Sequence, residues 1–533
     1  MARPSLPARL DCTGWAVMLF AALVSVAAYI VTDRLGGVLL YPDAKSHLEI
    51  ARRVVSSTSP GLAQLGNVWV PLPHLAMLPL IWNSTLYHNG FAGTIVSMAA
   101  YVATAVLIYK IVLVLTSSKI AGIVAAGIFA LNVNMLYMQS TPMTEALLFC
   151  MVTATVYFIQ QWAYTGKYQH LVAGGVAALF ATLSRYESWP ILACLLLAVI
   201  IIAWQRGYAL TPKLRWAGTQ DRFIAFAVVS LAGIVGWVLW NWAIFGNPLG
   251  FQNGPYAKPA LWRSNHEPSM GDWPVAAKTY WYAMVHNETW PMLLLAGIGL
   301  VCFIAFEWRT RRGVGRSLPV LSLLVTVPFF VVSLYTGQRP LHVPEINHQD
   351  LYDVRFGLIM LVPTAVLTGY LVGSLRRFRH GTRVVGGLVL ALAVGLGAAL
   401  IKQHNVATFN AAQPTVYTMR ENQVVKFLKG HYVRGRVLME SFGSEQIAFV
   451  VPSTELVYEG SYHQWLPALQ NPAASDISWI IARCGSQPDK VCRAIAKTPP
   501  SSYQLVYRQH SLLGEPDYYV YRLRSEGIHA HPA

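Results

Sequence analysis

Tyr41-Pro42-Asp43-Ala44-Lys45-Ser46-His47 places a carboxylate, an ammonium and an imidazole within two helical turns, just after the first long apolar run. A carboxylate at a lipid–water boundary is costly to keep there. Held beside an incoming alcohol, it could act as a general base. Two readings of Asp43 fit and are compatible. Pro42 marks a helix start, so Asp43 could be its N-cap. A helix N-terminus also holds an ionised carboxylate in place for catalysis. His47 lies one turn later on the same face. The pair could ligate a metal, but two ligands are fewer than such a site needs.

Four further clusters follow. In Gln139-Ser140-Thr141-Pro142-Met143-Thr144-Glu145, Glu145 is either a first-turn acid that suits the helix dipole or a second acid facing the same cavity as Asp43. In Arg185-Tyr186-Glu187 the two charges either neutralise each other, worth about 0–1 kcal/mol at a surface, or Arg185 offers its planar fork to a phosphate. In Asp350-Leu351-Tyr352-Asp353-Val354-Arg355-Phe356, Arg355 either snorkels at the membrane edge or holds a lipid phosphate. His342, Glu345 and His348 are weak metal candidates, because Pro344 breaks the helix that would align them. Tyr256, in a Gly/Pro/Asn/Trp-rich segment, joins His47, Lys45 and Glu187 as a substrate-binding candidate. Asn83-Ser84-Thr85 and Asn287-Glu288-Thr289 match the glycan-acceptor pattern, and no role is assigned to them.

The elements that must position these groups are mostly membrane spans. The chain has 533 residues, 55% of them hydrophobic and only 12% charged, with mean hydropathy +0.43. Soluble domains carry about 25% charged residues. The sequence therefore describes a polytopic α-helical membrane protein. Apolar runs near the ~20 residues a span requires fall at about 15–32, 91–115, 120–137, 146–163, 171–183, 189–204, 223–244, 291–306, 318–335, 356–372 and 384–401. That makes about eleven spans, of which 171–183 is the shortest. The first is longer than a signal-peptide core, which favours an uncleaved helix.

Lys and Arg cluster on one face if the spans alternate: Arg3 and Arg9; Arg206, Lys213, Arg215 and Arg222; Arg309, Arg311, Arg312 and Arg316; Arg376, Arg377, Arg379 and Arg383. The opposite loops carry most of the acids. The positive-inside rule then predicts a cytoplasmic N-terminus and an exterior C-terminus. This distribution accounts for the net charge of +16 without a nucleic-acid partner. The predicted exterior loops are 33–90, 245–290 and 336–355. After the membrane domain, 1–401, the segment 402–533 reads as a small α/β domain. Cys484 and Cys492 lie there, where a disulfide is chemically permitted and two free thiols are the alternative.

An acid in the first exterior loop (Asp43), a Pro-x-x-Glu turn (Pro142, Glu145), a basic residue between the fifth and sixth spans (Arg185) and Arg-aromatic at a late span (Arg355-Phe356) occur in this order. The chain thereby resembles the GT-C class of membrane glycosyltransferases. The nearest likeness is to glycosyltransferase family 39, which includes protein O-mannosyltransferases and the aminoarabinose transferase of lipid A. The resemblance implies a GT-C fold at the cell membrane and a polyprenyl-phosphate sugar donor. It also implies Asp43 as catalytic base, Glu145 orienting a substrate, and Arg185 and Arg355 near the donor phosphate. One residue departs from the pattern: Ala44 follows Asp43, where protein O-mannosyltransferases usually have Glu. The acceptor is thus left open among lipid, glycan and protein. No cofactor is required by this chemistry, and a divalent cation is left open. Two rivals remain. A polyprenyl-glycan flippase would place its charges near mid-membrane within paired repeats. A surface-polysaccharide polymerase or ligase would use a diphosphate-linked oligosaccharide.

Overall fold

Backbone groups in lipid must be satisfied within the segment, so apolar runs of span length fold as helices. The computed structural model describes residues 10–257, 267–308, 311–348, 351–375, 381–414, 416–485, 488–497, 501–509 and 517–524. Arg3, Arg9, Arg309, Asp350, Arg376, Arg377 and Arg379 lie outside the described residues.

Each of the eleven expected spans meets helix. Among the described residues nine helices are long and apolar enough to cross a membrane. The pair Lys119–Ala130 and Val133–Gln139, bent by 65°, is either a tenth, broken span or a re-entrant loop. The run at 171–183 forms a helix, Tyr168–Thr182, of only 15 residues. At 1.5 Å per residue it spans about 22 Å, short of the ~30 Å hydrocarbon core.

The chain divides into two compact units. The first is Met1–Val38, Asn67–Ala76 and Phe91–Ala412. Val354–Ser374 is its central span, with 94% of its apolar window buried, whereas only 17% is buried in Cys12–Arg34 and in Gly381–Ala411. The last two therefore present their side chains outward. Small residues allow the central helix a close approach to its neighbours, as is usual between membrane helices. A Cβ on Gly369 would lie 2.6 Å from the Ala125 Cβ.

The second unit is Leu39–Gly66, Met77–Gly90 and Gln413–Ala533. Its sheet comprises β1 (Arg436–Leu438), β2 (Leu456–Val457), β3 (Ile477–Cys484), β4 (Tyr503–Gln509) and β5 (Asp517–Leu523). The strand order is β2-β1-β3-β5-β4. β1 runs parallel to β2 and β3, while β3–β5 and β5–β4 are antiparallel. Alternation along each strand sends Val437, Trp479 and Ile481 to one apolar cluster and Leu438, Ile480 and Ala482 to the other. Cys484 and Cys492 are disulfide-bonded.

Residues 39–66 and 77–90 of the first loop fold with this α/β region. Helix Pro42–Val55 buries Ala44, His47, Leu48, Ala51 and Val54, the 3–4 spacing of an apolar helix face. The stretch after it does not make one continuous helix, in keeping with Pro71 and Pro73. It forms a short 3-10 helix, Leu62–Leu65, and a separate helix, Leu72–Ile81.

Candidate functional site

Asp43 is not the N-cap. Tyr41 holds that position, Pro42 is the first helical residue, and Asp43 lies in the first turn. The carboxylate sits at the positive end of the helix dipole. Lys45 and His47 follow on the same helix, and His47 is buried. The α/β region supplies the surroundings. Lys45 Nζ donates to Gln446 Oε1, and Gln446 N–H donates to Glu421 Oε2 at 3.0 Å. Burial pulls the Lys45 ammonium down to about 8, opposed by Glu421 and Glu49. Burial also raises the Glu445 carboxyl, and the Asp43 charge adds to that rise. Asp43, Lys45, Glu421, Glu445 and Gln446 therefore form one polar neighbourhood within the second unit.

Two turns along the same helix, Glu49 pairs with Arg53 at 2.6 Å, and both are buried. The Arg53 guanidinium lies 3.9 Å from the centroid of the Tyr458 ring, and the Tyr458 hydroxyl donates to Gln64 Oε1. Burial raises the Glu49 carboxyl to about 7 despite Arg53. These contacts lock the helix that carries Asp43 onto the α/β region.

Glu145, Arg185, Glu187 and Arg355 meet in the first unit. Thr144 caps the helix Glu145–Thr165, and Glu145 opens it. Glu145 Oε1 is 3.0 Å from Arg185 Nη1 and 3.1 Å from Arg355 Nε. Glu187 Oε1 is 3.0 Å from Arg185 Nη2 and 3.4 Å from Arg339 Nη1. Asp353 Oδ1 is 2.8 Å from Arg355 Nη1, and Arg185 Nη1 donates to Thr144 Oγ1 at 2.7 Å. All three guanidinium groups approach the Phe356 ring, at 5.1–5.7 Å from its centroid. Three arginines thus face three carboxylates, so the cluster is charge-balanced. Burial pushes the Glu187 carboxyl up, but Arg185 and Arg339 outweigh it and hold it at about 2.

Arg185 and Glu187 do neutralise each other, but as a buried pair rather than a solvated one. Arg185 spends its fork on Thr144, Glu145 and Glu187. Arg339 has the most exposed side chain of the three arginines, at 25%. It escaped the sequence reading because a lone arginine between Gln338 and Pro340 carries no pattern. Tyr256 is half-buried just after the short helix Gly250–Asn253.

The metal reading of His342, Glu345 and His348 is corrected. His342 Nε2 lies 2.8 Å from Glu267 Oε2, whereas Glu345 pairs with His286 Nε2 at 3.1 Å. His348 ends the helix Pro344–Asn347 in a left-handed conformation. The three side chains go to different partners because Pro344 starts a new helix between them. Among the described residues no three His, Cys, Asp or Glu side chains form a group able to hold a metal.

A crystal structure of ArnT from Cupriavidus metallidurans bound to undecaprenyl phosphate matches 98% of this chain and 100% of that chain, with a TM-score of 0.54 and 12% identity. The fold is that of the GT-C class. The archaeal oligosaccharyltransferase AglB from Archaeoglobus fulgidus, in complex with an inhibitory peptide and a dolichol-phosphate, matches 88% of this chain and 69% of that chain, with a TM-score of 0.49 and 11% identity. No family model and no curated protein matches the sequence. Within this GT-C fold, both acid-bearing neighbourhoods are built on helix starts, one at Asp43 and the other at Glu145.

Proposed function

We propose that this protein is an integral membrane glycosyltransferase. It moves a hexosyl or pentosyl unit from a polyprenyl-phosphate donor to an acceptor hydroxyl at the extracytoplasmic face, with inversion. The observation that carries the reading is the fold match along essentially the whole chain to ArnT, whose structure holds undecaprenyl phosphate. The N-terminus is assigned to the cytoplasm, and the α/β region and the first loop to the outside.

Asp43 is the general base. It takes the proton of the acceptor hydroxyl as the oxygen attacks the anomeric carbon, and the bond to the phosphate breaks on the opposite face. Such help is typically worth about 10²–10⁴-fold. Lys45 and His47, on the same helix, bind substrate beside it. The leaving polyprenyl phosphate is already an anion, so it needs cationic donors rather than a proton. Arg185, Arg355 and Arg339 are assigned that role. Glu145 and Glu187 hold the arginines in place until an anion arrives, and Tyr256 contributes to substrate binding. Asp43 and the arginine cluster belong to different compact units, so each assignment rests on its own surroundings.

The test is Asp43→Asn in purified protein. Transfer from labelled polyprenyl-phosphate sugars is expected to be abolished, while expression and donor binding persist. Wild-type turnover in that variant would overturn the base assignment.

A further inference from the structure

Glu288 is a buried carboxylate that the reaction does not use. It is the last residue of helix Trp273–Glu288 and is 3% exposed. Its carboxylate has the Thr364 hydroxyl beside it as a weak hydrogen-bond donor, and Asn287 Oδ1 and Thr289 Oγ1 have no hydrogen-bond partner among the described residues. The three consecutive residues line one small, partly open cavity. Thr364 and Asn132 are the other polar lining residues, and the remainder is apolar, with Met292, Leu361 and Leu396 among it.

Every one of these atoms is an oxygen; the carboxylate and the Asn287 amide oxygen only accept, while the Thr289 hydroxyl can accept or donate. Glu288 closes one helix at the negative pole of its dipole, and Thr289 opens the next, Trp290–Glu307, at its positive pole, so the two dipoles oppose each other here. Asn287 is fixed through its amide nitrogen, which donates to the carbonyls of Ala283 and Val354 at 2.7 Å each. That leaves its oxygen as the uncommitted end. Thr289 holds φ +68° without being glycine, the kind of backbone strain that gathers at ligand sites.

A carboxylate buried in this setting is stable in two ways, protonated or paired with a cation. Burial pushes the Glu288 carboxyl up to about 8, with Thr364 favouring the charged form. Among the described residues no Lys, Arg, His or second acid lines the cavity. Tyr280, on the same helix, is the titratable group that feels Glu288. One carboxylate balances one positive charge, so a monovalent cation leaves the site neutral and a divalent ion does not.

We propose that this cavity binds a monovalent cation through Asn287, Glu288 and Thr289, in exchange for the Glu288 proton. An alkali ion and the primary ammonium of a lipid headgroup share this chemistry. Both bring a compact positive charge to oxygen acceptors.

The test uses the purified full chain at constant ionic strength, set with N-methylglucamine chloride. NaCl or KCl is titrated at pH 6 and pH 9, and thermal unfolding is followed. In parallel, nanodiscs of phosphatidylethanolamine are compared with nanodiscs of phosphatidylcholine, without either salt. The expected result is a rise in Tm of about 2 °C or more at pH 9, smaller at pH 6 and absent in Glu288→Gln. A rise with salt assigns the alkali ion, and a rise with the ethanolamine lipid alone assigns the ammonium. No rise from either source in the wild type, an equal rise at both pH values, or an unchanged rise in Glu288→Gln overturns the proposal. If the variant does not fold, the pH dependence of the wild type decides by itself.

Discussion

Replacing Glu187 by Gln tests the energetic reading of the arginine cluster. Glu187 is 1% exposed and meets Arg185 at 3.0 Å and Arg339 at 3.4 Å. Its carboxyl is held at about 2 rather than the ordinary 4.5. At about 1.4 kcal/mol per pKa unit, that difference corresponds to about 3 kcal/mol of folding free energy at neutral pH. Because the folded-state value is the lower one, this stability is fully present above pH about 4.5 and is lost as the pH falls toward about 2. Glu187→Gln keeps the shape and removes the charge. Arg185 retains Glu145 as a partner, and Arg339 is exposed enough to turn to water. The expected loss is about 2–3 kcal/mol at pH 7, narrowing to about half that by pH 3. Equilibrium unfolding in mixed micelles, followed by tryptophan fluorescence, reads both values. A variant as stable as wild type at pH 7, or a gap that stays constant down to pH 3, would refute the reasoning.

Arg355→Ala and Arg339→Ala are each expected to weaken binding of a polyprenyl-phosphate donor by about tenfold or more, read by calorimetry or by competition. Unchanged affinity in both would remove them from the phosphate site. A cysteine replacing Gly313 should react with an impermeant maleimide only from the cytoplasmic side, and labelling from outside would reverse the topology. Replacing Cys484 and Cys492 together by Ser should destabilise the α/β region by about 2–3 kcal/mol, the loop-closure value for a separation of eight residues. Proteolysis of that region at the wild-type rate would contradict this.

The membrane architecture was legible because apolar length is a local property. Each expected span met helix; the run at 171–183 made one of 15 residues between Lys167 and Ser184, and the run at 120–137 made a pair bent by 65°. The small α/β domain was legible as a class, and the alternation of Trp479, Ile480, Ile481 and Ala482 between two apolar clusters marks β3 within it. The pairing of charges was not legible. Arg185 and Glu187 are two residues apart and were read together, but Glu145 and Arg355 join them from 40 and 170 residues away. Nothing in the local sequence ties His342 to Glu267 rather than to Glu345. Glu288 carried one usable signal: an acid one residue short of Trp290-Pro291, at the start of an apolar span, is costly unless it is needed.

The pairing of the first loop with the α/β region has a consequence for biosynthesis. Tyr458 and Gln64 meet across 394 residues of chain, so the loop must wait for nearly the whole polypeptide to leave the ribosome. At about 5–20 residues per second that wait is about 20–80 s. Throughout it the Glu49–Arg53 helix lacks its Tyr458 cover, and every intervening membrane segment has to be inserted in the correct order. A nascent chain stalled before the α/β region is made would carry Asp43 on a helix whose apolar face has nothing to close over it, a natural target for quality control.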